Sequence, residues 1–219
     1  MSQVAVILGV DDEFGSSLFR QFESLGWKVF GLTPEPAGGV LGRTASDPDN
    51  GDGGLRSVAV DLSSIGSMEA AASQVSAAVD HVDILICNVH SDVDSSRLEL
   101  FDFDAMRRAH DLNGLASLRF VEAFLPLTTR GMKRICFVTG PEAVVGDRQA
   151  SEVGIGVRMS RATVHTAATI ISNDLRRDGY SVRLYIPGAG VEKAVDYLID
   201  DVDDQRPRIF DPSGKEWGF

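Results

Sequence analysis

Val4-Ala5-Val6-Ile7-Leu8-Gly9-Val10-Asp11-Asp12-Glu13-Phe14-Gly15 decides the fold. The apolar run from Val4 to Leu8 reads as a buried strand, and the polar turn after it opens a helix from about Gly15 to Leu25. The alternation then repeats. Strands are predicted over Trp27 to Leu32, over Ser57 to Val60 (ending at Asp61-Leu62), and over Ile84 to Cys87, with a helix over roughly Ser67 to Val79 before the last of these. Asp104 to Leu125 reads as a long helix, because Met106, His110, Asn113, Ser117, Phe120 and Phe124 fall on one face. A strand over Arg134 to Thr139, a long helix over Val157 to Arg177, a strand over Tyr180 to Ile186, a short helix over Glu192 to Ile199 and a strand around Arg208 to Phe210 follow. Continuous apolar strands separated by helices imply a parallel sheet covered on both faces. The expectation is an α/β, doubly wound, Rossmann-type single domain over 1–219. The Gly-, Pro-, Asp- and Ser-rich stretch Thr33 to Gly54 is expected to be a surface excursion, since the alternation resumes after it.

The chain has 219 residues, 43% of them hydrophobic and 24% charged. That is enough for a substantial core. No run of about 20 apolar residues occurs, so no membrane span is expected. The start, Met1-Ser2-Gln3-Val4, goes straight into a strand, with no room for a signal peptide. Cys87 and Cys136 lie in apolar strand-like runs and read as reduced core thiols, which suits the cytoplasm, and their spacing matches no metal motif. A formal charge of −11 argues against nucleic acid or an anionic membrane surface as partner. The acids of Asp196 to Asp204 read as a solvated surface.

Several motifs together resemble one family. Between Ile135 and Gly190 the chain is similar to the second half of a short-chain dehydrogenase/reductase: strand, loop, long helix, strand, then Pro187-Gly188. Gly9 and Gly15 match the outer glycines of the family's Thr-Gly-x-x-x-Gly-x-Gly cofactor turn, whose glycines let the backbone approach a pyrophosphate at the helix N-terminus. Asp61-Leu62 matches the family's Asp at the end of strand three, which contacts adenine. Asn88, in Cys87-Asn88-Val89-His90, stands in the family's Asn-Asn-Ala-Gly segment, and Asn113 is in register with the catalytic Asn.

The departures are equally specific. Glu13 takes the place of the middle glycine, and Asp11 and Asp12 add charge on the same turn. Three acids facing a diphosphate could cost several kcal/mol where the site is partly desolvated. The end of strand two, Gly31-Leu32-Thr33-Pro34, has neither the acid of an NAD enzyme nor the base of an NADP enzyme, though Glu35 could reach back. His90 replaces a glycine that makes room for the cofactor and reads as a structural or surface histidine. The family's Ser position falls on Gly140, with Thr139 one place early and, by strand alternation, expected to face the other way.

The Tyr-x-x-x-Lys relay falls on Val157-Arg158-Met159-Ser160-Arg161. Val157 has no proton to give, and Arg161 stands for the lysine. The only tyrosines, Tyr180, Tyr185 and Tyr197, lie beyond the long helix and are not placed to substitute. The lid after Pro187-Gly188 is expected to be missing, because Ala189-Gly190 passes into a helix at Val191.

The resemblance therefore implies a degenerate member with no catalytic residue of its own and no cofactor in this chain. Asn113, Gly140, Val157 and Arg161 are the positions of the degenerate catalytic set, all but Asn113 altered; Gly9, Glu13, Gly15, Asp61, Asn88 and His90 are the positions of the degenerate cofactor site, with Glu13 and His90 the departures. It implies a structural subunit of a hetero-oligomeric dehydrogenase, for example one oxidising a hydroxyacyl-CoA in anaerobic aromatic degradation. The partner would be an intact paralogue holding NAD, met through the two long central helices and the C-terminal strand. Ala162, Thr163, Thr166, Ala167 and Ala168 permit close helix approach there. The alternatives are a small-molecule sensor using the former cofactor cleft, with Asp61, Asn88 and His90, and an oxidoreductase with a relay built on His90, Thr139 or Arg161.

Overall fold

β1 (Val4–Leu8) is buried along its whole length, which is why every one of its residues is apolar. Its side chains alternate between two faces. Val4, Val6 and Leu8 join one core cluster and Ala5 and Ile7 the other. The computed structural model describes residues 2–34, 57–91, 100–144, 153–188, 190–200 and 206–218. Most of the stretch expected as a surface excursion, with Glu35, and the acids at 201–204 lie outside them.

The sheet runs β3-β2-β1-β4-β5-β6-β7-β8. The strands are β1, β2 (Lys28–Pro34), β3 (Ser57–Val60), β4 (Ile84–Cys87), β5 (Arg134–Val138), β6 (Ser181–Tyr185), β7 (Arg208–Phe210) and β8 (Glu216–Trp217). All neighbours pair in parallel except β7 and β8, which are antiparallel. The order reverses between β1 and β4, the switch point at whose carboxyl side such sheets bind ligands. The doubly wound expectation is met; only the short closing strand β8 was not foreseen.

Helices α1 (Glu13–Ser24) and α6 (Val191–Ile199) cover one face, through Leu18, Phe22, Val195 and Leu198. Helices α2 (Ile65–Ser76), α4 (Ala116–Phe124) and α5 (Ile155–Leu175) cover the other, through Met68, Phe120, Phe124, Val164 and Ala168. The single helix expected over Asp104 to Leu125 is interrupted. α3 (Phe103–Ala109) passes into a wider π-helical turn over His110–Leu115 before α4 begins. The extra residue in that turn breaks the 3.6-residue register in which a straight helix would hold the expected stripe. Asn113 sits in the turn.

Two buried arginines close the far end of α6. Arg134 Nη1 donates to the carbonyls of Leu198 and Asp200, each at 2.9 Å, and Arg183 Nη1 donates to that of Tyr197. Cations there satisfy the orphan carbonyls and oppose the negative end of the helix dipole. No described helix is long and apolar enough to cross a membrane, and no group of three or more His, Cys, Asp or Glu among the described residues could hold a metal ion.

Candidate functional site

Gly9, the first residue after β1, has φ +86°, and a Cβ on it would lie 2.2 Å from the Asn88 carbonyl oxygen. A Cβ on Gly15 would lie 1.9 Å from the Gly9 carbonyl oxygen. Gly9 is therefore required by the close approach of the chain after β1 to the backbone after β4, and Gly15 by that of α1 to the Gly9 carbonyl, before any ligand is considered. Asp12 is the N-cap of α1: its Oδ1 accepts from Gly15 N at 2.5 Å. Asn88 Nδ2 donates to the Gly9 carbonyl at 2.8 Å and to both Asp12 carboxylate oxygens at 3.0 Å. His90 Nε2 stands 3.5 Å from Asp12 Oδ2. The exposed acids Asp11 and Glu13 flank this cluster. The positive end of α1 thus faces a carboxylate of its own chain.

Asp61 is apart from these groups. Its Oδ1 accepts from Ser63 N and Ser63 Oγ at 2.8 and 2.7 Å, and its backbone N–H donates to Ser67 Oγ at 3.0 Å. The Ser63 hydroxyl and then its amide hold the Asp61 carboxyl below its ordinary pKa. These bonds start α2.

Of the four positions that the resemblance aligns with the family's catalytic residues, Asn113, Gly140 and Arg161 line one cleft and Val157 lies on α5. Asn113 is 1% exposed and spends all its side-chain polar groups locally. Its Oδ1 accepts from Ser91 N at 2.6 Å, and its Nδ2 donates to the Ser91 carbonyl at 2.9 Å and Ser160 Oγ at 3.0 Å. It ties the π-helical turn to the segment after β4 and to α5. Val157 is fully buried on α5. Four residues on, Arg161 forms an ion pair with Glu142. That carboxylate folds back over Gly140, where a Cβ would lie 2.2 Å from Oε1 and 2.4 Å from Oε2. The space that a side chain at 140 would need is filled by Glu142.

Thr139 is the second departure from the expected geometry. β5 ends at Val138, so both Thr139 and Gly140 border the cleft and strict alternation no longer separates them. The Thr139 Oγ1 lies 2.7 Å from His165 Nε2. His165 is 4% exposed, and burial pushes its pKa down to about 4, so the ring is neutral near pH 7. Sequence reasoning missed both Glu142 and His165. The signals were present: His165 continues the four-residue spacing of Val157 and Arg161 down one face of α5, and Glu142 follows a glycine and a proline at a strand end.

A cavity of about 320 Å³ joins these groups. It opens at the carboxyl ends of β4, β5 and β6, between Val89 and His90, Val138 to Glu142, and Ile186 and Pro187, and is backed by Asn113, Arg161 and Val164. That volume is at the small end of the roughly 300–1,000 Å³ of ligand pockets.

Known proteins share this framework. A 1-hydroxy-2-glutathionyl-2-methyl-3-butene dehydrogenase of Rhodococcus sp. (strain AD45) is 31% identical over 129 residues, 59% of this chain and 56% of the relative. The C-signal protein of Myxococcus xanthus is 33% identical over 110 residues, 49% of this chain and 64% of the relative. The matches thus span less than two thirds of either relative's length. A solved structure provisionally assigned as a short-chain dehydrogenase/reductase from Burkholderia multivorans, with bound NADP, superposes with a TM-score of 0.81 at 18% identity over 100% of both chains. The short chain dehydrogenase family profile matches residues 3–189, and the chain belongs to that family of oxidoreductases, whose members normally bind NAD(P).

Proposed function

We propose that this chain is a structural subunit of a hetero-oligomeric, NAD-dependent short-chain dehydrogenase, taking no part in hydride transfer itself. It would sit against a paralogue that keeps the Tyr, Lys and glycine motifs and holds the NAD. The observation that carries the reading is an outward stripe on α5. Met159, Thr163, Thr166 and Ile170 follow a helical spacing, carry no charge, and include residues 58% and 54% exposed at Met159 and Ile170. Leu115 and Phe103 add exposed apolar surface from the π-helical turn and α3. Exposed apolar side chains spaced along an uncharged helix stripe, on a chain of net charge −11, read as a partner-binding face.

The residues of the cleft do not fit a dinucleotide. A diphosphate needs the amides at the start of α1, and Asp12 already takes the Gly15 N–H. Asp11 and Glu13 would repel it further. Arg161, where the family has its lysine, is paired with Glu142. Val157 supplies no proton. The partner would therefore carry the redox chemistry, with a hydroxyacyl-CoA as one substrate class. The reduced, buried thiols Cys87 and Cys136 suit assembly in the cytoplasm.

Thr166→Arg places a long cation in the middle of the stripe. Co-expressed with a neighbouring dehydrogenase paralogue, the unaltered chain is expected to elute as a mixed assembly in size-exclusion chromatography with light scattering. The variant should elute apart from the paralogue with an unchanged circular dichroism spectrum. A mixed assembly that survives Thr166→Arg would overturn this placement of the interface.

A further inference from the structure

The cavity holds two chemically active groups that hydride transfer does not use: the Glu142 carboxylate and the Thr139 hydroxyl. Both line the same space of about 320 Å³. Of the other polar residues around it, His90 Nε2 stands 3.5 Å from Asp12 Oδ2, Asn113 is spent on Ser91 and Ser160, and Ser117 donates to the Asn113 carbonyl at 3.1 Å while accepting from Cys87 Sγ at 3.2 Å. The remaining wall is largely apolar, with Val89, Val138, Val164, Ile186 and Pro187. A carboxylate, a guanidinium and a hydroxyl converging on a small apolar space match the needs of one reaction class. That class is proton abstraction next to a carbonyl, which needs a base and donors for the enolate oxygen and nothing else.

We propose that this cleft enolises a small, uncharged carbonyl compound without a cofactor, with Glu142 as the base and Thr139 and Arg161 as donors to the carbonyl oxygen. In the step, a Cα–H bond breaks and its proton passes to the Glu142 carboxylate. The electron pair moves into a new carbon–carbon double bond, and the carbonyl oxygen becomes an enolate held by the Thr139 O–H and the Arg161 guanidinium. Glu142 then returns the proton to carbon, at the same position or at a conjugated one. No electrons leave the molecule, so no oxidant or reductant is consumed. A carboxylate suffices as base when donors hold the enolate. His165 is a positioning residue: with its proton on Nε2 it donates to Thr139 Oγ1 and leaves the Thr139 hydrogen to point into the cavity. The activity is independent of the subunit reading, since it needs neither NAD nor a partner.

The test is proton NMR of cyclohexanone with the full chain in D2O, following loss of the α-proton signal, with saturation-transfer difference spectra to report binding. The expected result is binding together with exchange well above the buffer control. Glu142→Gln should lower exchange about 100-fold while saturation transfer persists. Glu142→Asp, which keeps the charge and a partner for Arg161, should lower it about 10-fold and guards against misfolding of the first variant. Thr139→Val should lower it about 10-fold. Nitrogen chemical shifts should place the His165 proton on Nε2. Thr166→Arg should leave exchange unchanged, so that failure of the interface and failure of this activity are told apart. No exchange above buffer, with or without binding, would overturn the proposal; so would exchange indifferent to Glu142→Gln and Thr139→Val.

Discussion

The carboxylate of Glu142 lies over the α-carbon of Gly140, and a Cβ at that glycine would stand 2.2 Å from Oε1. The missing side chain at 140 and the ion pair between Glu142 and Arg161 are therefore one arrangement. The absence of a side chain at 140 leaves the room that the Glu142 carboxylate takes.

Gly140→Ser should break that arrangement. The new side chain must displace Glu142 and leave Arg161 without this partner. Loss of a charged pair in a largely buried setting costs about 1–3 kcal/mol. The expected outcome is a lower urea midpoint with an unchanged m-value. An unchanged midpoint would show that Glu142 moves aside freely.

Stability should fall as pH drops from about 6.5 to about 4. In the folded chain burial lowers the His165 pKa from 6.5 to about 4, so the unfolded chain binds the extra proton through that window. The whole effect is about 3 kcal/mol, at roughly 1.4 kcal/mol per pH unit. The contribution of Asp211, which bonds from Ser213, Trp217 and Lys215 hold at about 2 against its desolvation, is lost only below that window. Urea unfolding across pH, with His165→Gln as the non-titrating control, checks it. A control slope as steep as that of the unaltered chain would contradict the assignment.

Val157→Tyr with Arg161→Lys should not restore dehydrogenase turnover. Val157 is fully buried, so a tyrosine there overpacks the base of α5 at a cost of about 1–3 kcal/mol. Asp12 would still cap α1 and Glu13 would still flank it. An NAD(P)H absorbance assay with a panel of alcohols and ketones checks this, and measurable turnover would count against a subunit without redox chemistry.

Arg134→Met should loosen α6 locally. The substitution leaves the Leu198 and Asp200 carbonyls without their 2.9 Å donor, which costs about 1–3 kcal/mol. Hydrogen exchange should speed up in the last turn of α6 more than in β1. Uniform protection in both would show that the guanidinium does not hold this helix end.

Much of the fold was legible because burial on both faces forces continuous apolar strands. Val4–Leu8 and Ile84–Cys87 show that signal without interruption. β8 was not legible: two residues, Glu216 and Trp217, carry no periodicity, and their place follows from the turn that Asp211 builds by accepting from Ser213, Lys215 and Trp217. The π-helical turn was hidden because the sequence on each side of it keeps a helical period, with Ala105 and Ala109 buried before it and Ser117, Phe120 and Phe124 after it. At the site, single residues such as Val157 and Arg161 could be read one by one. Their partners could not, because Glu142 and His165 act through contacts that only the packing of α5 against β6 and the turn after β5 creates.

The proposed subunit would assemble with a dehydrogenase and bind no cofactor of its own. Native mass spectrometry of the chain co-expressed with a neighbouring dehydrogenase paralogue, with and without added NAD, tests both halves at once. A mixed assembly carrying one NAD per paralogue subunit and none per copy of this chain is the predicted result. A homo-oligomer of this chain with NAD bound would contradict it.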